Sequence, residues 1–210
     1  MINIRFVLPI MTIALMSMTI VASCTGGSIS MKTSIQATTD SSATHATDTL
    51  WNDEVQSEFF DAKFGDPADS VIANFSNYGF ILLDKQSDDN TLIFGHKSEY
   101  YSFSDMRWVN LTVNLTDGKF SSISFYTPRQ SKAEALKDFD QIIDNISKKY
   151  KLTNVEPDDT TMYKLKRAYT KSALVAGVGC YSYFDQDSVR FYTTSLDFTD
   201  TKLFKETDDQ

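Results

Sequence analysis

The sequence predicts an α+β domain, an antiparallel β-sheet with two helices packed on one face, and three observations carry that expectation. Leu136, Phe139, Ile143, Ile146 and Tyr150 recur at alternating spacings of three and four, the stripe of an amphipathic helix. Val109, Leu111, Val113 and Leu115 alternate with Asn110, Thr112 and Asn114, the signature of a half-buried strand. Helix followed by strands occurs twice along the chain, the pattern of a tandem repeat of one layered unit.

The domain is expected over 50–199, opening at Leu50-Trp51 with Phe59 and Phe60 already in the core. Its first helix is bounded by Asp66 as N-cap, Pro67 at the first helical position and Gly79 as stop, with Val71, Ile72 and Phe75 facing one way. Phe80–Leu83 and Thr91–Phe94 flank the turn-forming run Gln86-Ser87-Asp88-Asp89-Asn90 and read as a hairpin. Trp108–Thr116 and Lys119–Thr127 form the next one. A two-residue Asp117-Gly118 loop would set Thr112 against Ile123, whereas a three-residue loop pairs Leu111 with Ile123 and Val109 with Phe125, so the three-residue register is expected. Ser131 and Glu134 make a capping box for the second helix, and Lys148, Lys149 and Lys151 suit its C-terminus. Strands Met162–Tyr169, Ala173–Phe184 and Ser188–Phe198 follow, the last two joined at Asp185-Gln186-Asp187, with a polar tail over 200–210.

Ahead of the domain the composition changes twice. Phe6–Val21 carries no charge and follows a start whose only base is Arg5, the pattern of an export signal over 1–23 and too short an apolar core for a permanent span of roughly 20 residues. The segment 24–49 is rich in Ser and Thr and lacks aromatic residues, so it reads as a flexible tether with a reach of about 25–30 Å. Val21-Ala22-Ser23-Cys24 resembles the lipobox of bacterial lipoproteins. That resemblance implies diacylglycerol on the Cys24 thiol, cleavage before Cys24 by signal peptidase II, and a membrane anchor without a span. Phe64-Gly65-Asp66-Pro67 leading into a helix that ends Tyr78-Gly79-Phe80, with Lys148-Lys149-Tyr150 closing the second, is similar to small lipoproteins of Bacteroidales. The helix-then-meander order is also similar to β-lactamase-inhibitor units and to the outer-membrane assembly lipoprotein BamE. Asp48-Thr49-Leu50, Asp69-Ser70-Val71 and Asp187-Ser188-Val189 resemble O-glycosylation sites of Bacteroidetes. Together these place the protein in the cell envelope, on the outer membrane facing the periplasm, with the cell surface as the alternative.

The chain has 20 basic and 28 acidic residues, a formal charge of −8, and no basic cluster, which excludes nucleic acid as a partner. With Cys24 lipidated, Cys180 is the one remaining thiol, so no internal disulfide is expected. Cys180 shares an apolar strand side with Leu174, Ala176 and Val178, which reads as packing rather than as a nucleophile served by His96. Gly177-Val178-Gly179 lacks the strand-to-helix context of a phosphate loop, Asp88-Asp89 and Asp185-Gln186-Asp187 are loop chemistry, and His45 lies alone in the tether. No metal, cofactor or catalytic residue is expected. Tyr181, Tyr183, Tyr192, Arg190, Lys164 and Lys166 are expected to converge on the sheet face opposite the helices as a binding face, the alternative being rings that only cover the two glycines. The expected function is non-enzymatic binding of an envelope protein, with glycan binding second and an undetected hydrolase third.

Overall fold

The computed structural model describes residues 50–157, 159–184 and 188–203. The expected signal segment, the expected tether with Cys24 and His45, the expected turn Asp185-Gln186-Asp187 and most of the expected C-terminal tail lie outside the described residues.

The chain opens with three two-residue strands, β1 (Trp51–Asn52), β2 (Glu58–Phe59) and β3 (Ala62–Lys63), and then helix α1 (Ala68–Asn77). Strands β4 (Phe80–Leu82), β5 (Thr91–His96), β6 (Tyr101–Phe103), β7 (Met106–Trp108), β8 (Asn110–Thr116) and β9 (Lys119–Arg129) lead to helix α2 (Lys132–Ile146). The short β10 (Thr153–Asn154) precedes β11 (Met162–Thr170), β12 (Leu174–Phe184) and β13 (Arg190–Asp200). One nine-stranded sheet runs in the order β1-β11-β12-β13-β9-β8-β5-β4, with β10 beside β11; β2-β3 and β6-β7 are separate small hairpins. The α+β class is as expected, but the sheet is mixed rather than antiparallel, because β1 runs parallel to β11.

Both helices lie on one face. Phe94 is opposite Leu111, Leu111 opposite Phe125, Phe125 opposite Leu196 and Leu196 opposite Val178, so these five side chains share a face across five strands. The ring of α1's Phe75 sits 5.1 Å from Phe94, and α2 closes on the same face where Thr194 Oγ1 donates to Ala135 O at 2.6 Å. Helix α2 begins as expected, Ser131 Oγ accepting from the Glu134 N–H, but it buries Ala135, Phe139, Ile142 and Ile146, a stripe turned slightly from the expected one. Helix α1 corrects its expected cap. Pro67 occupies the N-cap, and Asp66 turns back to accept from the Lys63 N–H at 2.9 Å, closing the β2-β3 region instead.

The β8-β9 register is also a correction. The loop is the two-residue Asp117-Gly118, both at positive φ (53° and 72°), and Leu111 faces Phe125 while Val113 faces Ile123. An irregularity after Asn114 leaves Ser121 as an extra residue whose Oγ bonds the Asn114 carbonyl; this bulge, not a longer loop, returns the apolar residues to one face. At the other end β13 runs to Asp200, and Thr201 N donates to Ala173 O, so the domain outlasts its expected boundary at 199.

Between the helices the core is aromatic. Phe59 and Phe60 both enter it because the β2-β3 turn holds Phe60 and Asp61 at φ 51° and 62°, a conformation that costs a bulky residue roughly 1–2 kcal/mol. Phe60 lies 4.7 Å from Phe80 and 5.3 Å from Phe75, and those contacts fix the strained turn. Replacing Phe60 by Ala should lower stability by about 3 kcal/mol, and Phe60→Gly should cost about 1 kcal/mol less than Ala because glycine takes the left-handed conformation freely. Urea unfolding checks both, and a Gly variant weaker than the Ala variant would contradict the strain.

Candidate functional site

The predicted binding face is split by the sheet. In β12 and β13, Tyr181 opposes Thr193 and Tyr183 opposes Phe191, while Ser182 opposes Tyr192 and Phe184 opposes Arg190. Tyr181 and Tyr183 therefore lie on the face away from the helices, and Tyr192 and Arg190 on the helix side. Lys164 and Lys166 oppose Cys180 and Val178, again on the helix side. There Lys164 Nζ sits 3.1 Å from Asp140 of α2 and 5.1 Å from the centre of the Phe139 ring. Tyr192 stacks on Tyr163 at 6.2 Å, and Lys132 Nζ lies 3.6 Å above the Tyr163 ring. Of the six predicted residues, the structure keeps only Tyr181 and Tyr183 together on the face opposite the helices.

The face away from the helices is built from alternate residues of the central strands. One row reads Arg167, Gly177, Asp197, Ser124 and Thr112, each opposite the next, and the row beside it Leu165, Gly179, Ser195, Tyr126 and Asn110. The side chains of Thr112, Tyr126, Thr193 and Ser195 are all buried although both helices occupy the other face. Neighbouring side chains of that face therefore cover them. Asp197 is its one acid within these rows. Ser195 Oγ donates to Asp197 Oδ2 at 2.7 Å, and Ser124 is also hydrogen-bonded to that carboxylate. Burial raises the Asp197 pKa above the ordinary carboxylate range, against the two hydroxyls and the Arg167 guanidinium, which pull it down. Burial likewise pushes the Tyr181 hydroxyl well up, with Asp197 adding to the effect, and lifts Tyr126 to about 12.

The second surface is the far end of β12-β13. Ser182 N still donates to Thr161 O and Tyr192 is opposite Arg129, but beyond these the two strands continue as a pair past the last residues of both neighbours. Tyr183 and Phe191 stack at 5.8 Å and 17°, Arg190 lies 4.9 Å over the Phe184 ring, and Phe184 and Val189 are 55% and 50% exposed.

The groups considered for chemistry are engaged elsewhere. Cys180 is fully buried among Ala176, Val178 and Leu196, and burial raises its thiol pKa, as packing rather than nucleophilicity requires. His96 Nδ1 accepts from the Ser98 N–H at 3.0 Å, and its Nε2 lies 3.1 Å from Tyr78 O, which fits a proton on Nε2. Among the described residues no group of three or more His, Cys, Asp or Glu side chains is placed to hold a metal ion, and no helix is long and apolar enough to cross a membrane. No protein-family model, no curated protein and no solved structure matches the chain.

Because the folded state holds the Asp197 proton more tightly than the unfolded chain does, stability falls as pH rises from the unfolded carboxylate pKa of about 3.9 through the higher folded value. Asp197→Asn removes that loss. The melting temperature of the Asn variant relative to wild type should therefore climb across this window and level off above it; a difference independent of pH would show that Asp197 carries no such shift.

Proposed function

We propose that this chain is a lipid-anchored protein of a bacterial cell envelope, held by acyl chains on Cys24, that works by binding another envelope protein rather than by catalysis. The anchor rests on Val21-Ala22-Ser23-Cys24 and the Ser/Thr-rich tether behind it. Placement on the outer membrane facing the periplasm follows from the same signal, since Cys24 is not followed directly by an acidic run of the kind that directs such lipoproteins to the cell surface. The order of α1 before β4, β5, β8 and β9, and of α2 before β11, β12 and β13, supports two layered units of one kind.

The observation that carries the protein contact is the projecting end of β12-β13. Exposed Phe184 and Val189, the Tyr183–Phe191 stack and Arg190 form the aromatic and arginine composition that dominates protein interfaces. The arrangement resists the hydrolase reading, since Cys180 is buried under α2 and the His96 imidazole serves its own turn. Glycan binding is the second reading, and the polar Arg167–Asp197 row on the face away from the helices favours it.

Cross-linking in intact cells should capture an envelope protein with the wild-type chain, and Phe184→Ala with Arg190→Ala should abolish that capture without changing the melting temperature. In the same cells wild type should incorporate labelled palmitate and Cys24→Ser should not. Undiminished capture by the double variant would refute the contact, and a wild-type chain free of palmitate would refute the anchor.

A further inference from the structure

The two tryptophans of the chain are placed differently. Trp108 is 2% exposed, and its Nε1 donates to Phe103 O at 2.9 Å. Trp51 is 48% exposed, and its indole makes no hydrogen bond or ring contact among the described residues. Leu50 beside it is 45% exposed. This corner is nonetheless fixed in place. Asn52 Oδ1 accepts from the Lys151 N–H at 2.7 Å, and its Nδ2 donates to the carbonyls of Lys151 and Tyr169 at 3.0 and 3.3 Å. Trp51 continues a half-buried row of Tyr169, Val175 and Thr199 on the face away from the helices. The segments that meet here, 50–54, 150–153, 169–175 and 199–203, carry Lys151, Lys171 and Lys202 against Asp53, Glu54 and Asp200. The corner is therefore neutral in a chain of formal charge −8.

We propose that Leu50 and Trp51 rest on a lipid surface, with the indole at the level of the headgroups, and so set which way the anchored domain faces. The inference rests on acylation of Cys24 and goes beyond it, because acyl chains hold a domain near a bilayer without orienting it. Position argues for lipid as the occupant. Leu50 is where the described domain meets residues 25–49, and a Ser- and Thr-rich stretch of that length spans about 25–30 Å. Among the described residues, Leu50 and Trp51 are thus the exposed large apolar pair nearest to Cys24 along the chain. Tryptophan suits such a boundary, since its ring buries apolar surface while its N–H stays among polar groups, and Trp51 Nε1 is unpaired. A neutral corner also avoids the repulsion that the acidic remainder of the chain meets at anionic headgroups. The corner lies at the Leu174 end of β12, and Phe184 lies at the other, about 33 Å along the strand. The contact therefore turns the projecting end of β12-β13 away from the bilayer.

The full chain, purified from envelopes, would be reconstituted on vesicles of phosphatidylethanolamine and phosphatidylglycerol, part of whose acyl chains are brominated. Tryptophan emission would be read beside vesicle flotation and the mass of the intact protein. Emission should move to shorter wavelength and be quenched by the bromine. Trp51→Phe should abolish both effects, since the buried Trp108 is then the sole tryptophan. Leu50→Asp should abolish them too, with the melting temperature unchanged because residue 50 is exposed. A chain that floats with the vesicles while its emission stays unshifted and unquenched would overturn the contact and leave the anchor standing. Equal quenching in wild type and Trp51→Phe would overturn it as well. The mass reads the acyl chains separately: an unacylated chain whose Trp51 is still quenched would uphold the contact and remove the anchor.

Discussion

The structure depends on the pairing of β9 with β13, from Ser122 opposite Thr199 to Arg129 opposite Tyr192. Strands β4, β5, β8 and β9 form one group, and β11, β12 and β13, with β1 and β10 beside β11, form another; this seam is where they become a single sheet. Its register decides both faces at once. With Phe125 opposite Leu196 and Ile123 opposite Phe198, the apolar residues of both groups form one continuous floor beneath the two helices. The same register sets Ser124 against Asp197 and Tyr126 against Ser195, which assembles the polar rows of the face away from the helices. A slip of one residue would bury Asp197 under α2 and expose Leu196 and Phe198.

The long periodic segments were legible from sequence because burial imposes their period directly. The hairpin β4-β5 and the strands β11 to β13 lie within a residue or two of their expected limits, and helix α2 starts where expected but ends at Ile146, short of the expected Lys148-Lys149-Tyr150 close. The expected pairing of β8 with β9 recognised that the odd-numbered apolar residues of both strands must share a face, and so rejected the Asp117-Gly118 loop. The chain keeps that loop, whose two left-handed residues suit hairpin twist, and absorbs the mismatch at Ser121. A buried serine that bonds a carbonyl across the hairpin gives no periodic signal.

The binding face was misread through parity. A hairpin closed by an odd number of loop residues pairs residues of like parity, so Tyr181 and Tyr183 fall with Phe191 and Thr193, and never with Arg190 and Tyr192. The expected Asp185-Gln186-Asp187 turn already implied this. The residues that the sequence reading missed, Asp197, Ser195 and Arg167, are opposite Gly177 and Gly179 or next to them in the same rows, and become visible only when that parity is applied. An acid between Leu196 and Phe198 otherwise looks like any outward residue of an alternating strand. The address proposed from Val21-Ala22-Ser23-Cys24 is independent of the fold, since such a stretch would be read by export machinery and not by packing.

Native-state hydrogen exchange tests the seam most directly. If β9 and β13 unite the two strand groups, amides in β8, β9, β12 and β13 exchange only through global opening, with one common free energy that falls together when Leu196 is changed to Ala. Amides of β11 to β13 opening as a separate, weaker unit while β5, β8 and β9 stay protected would contradict the account.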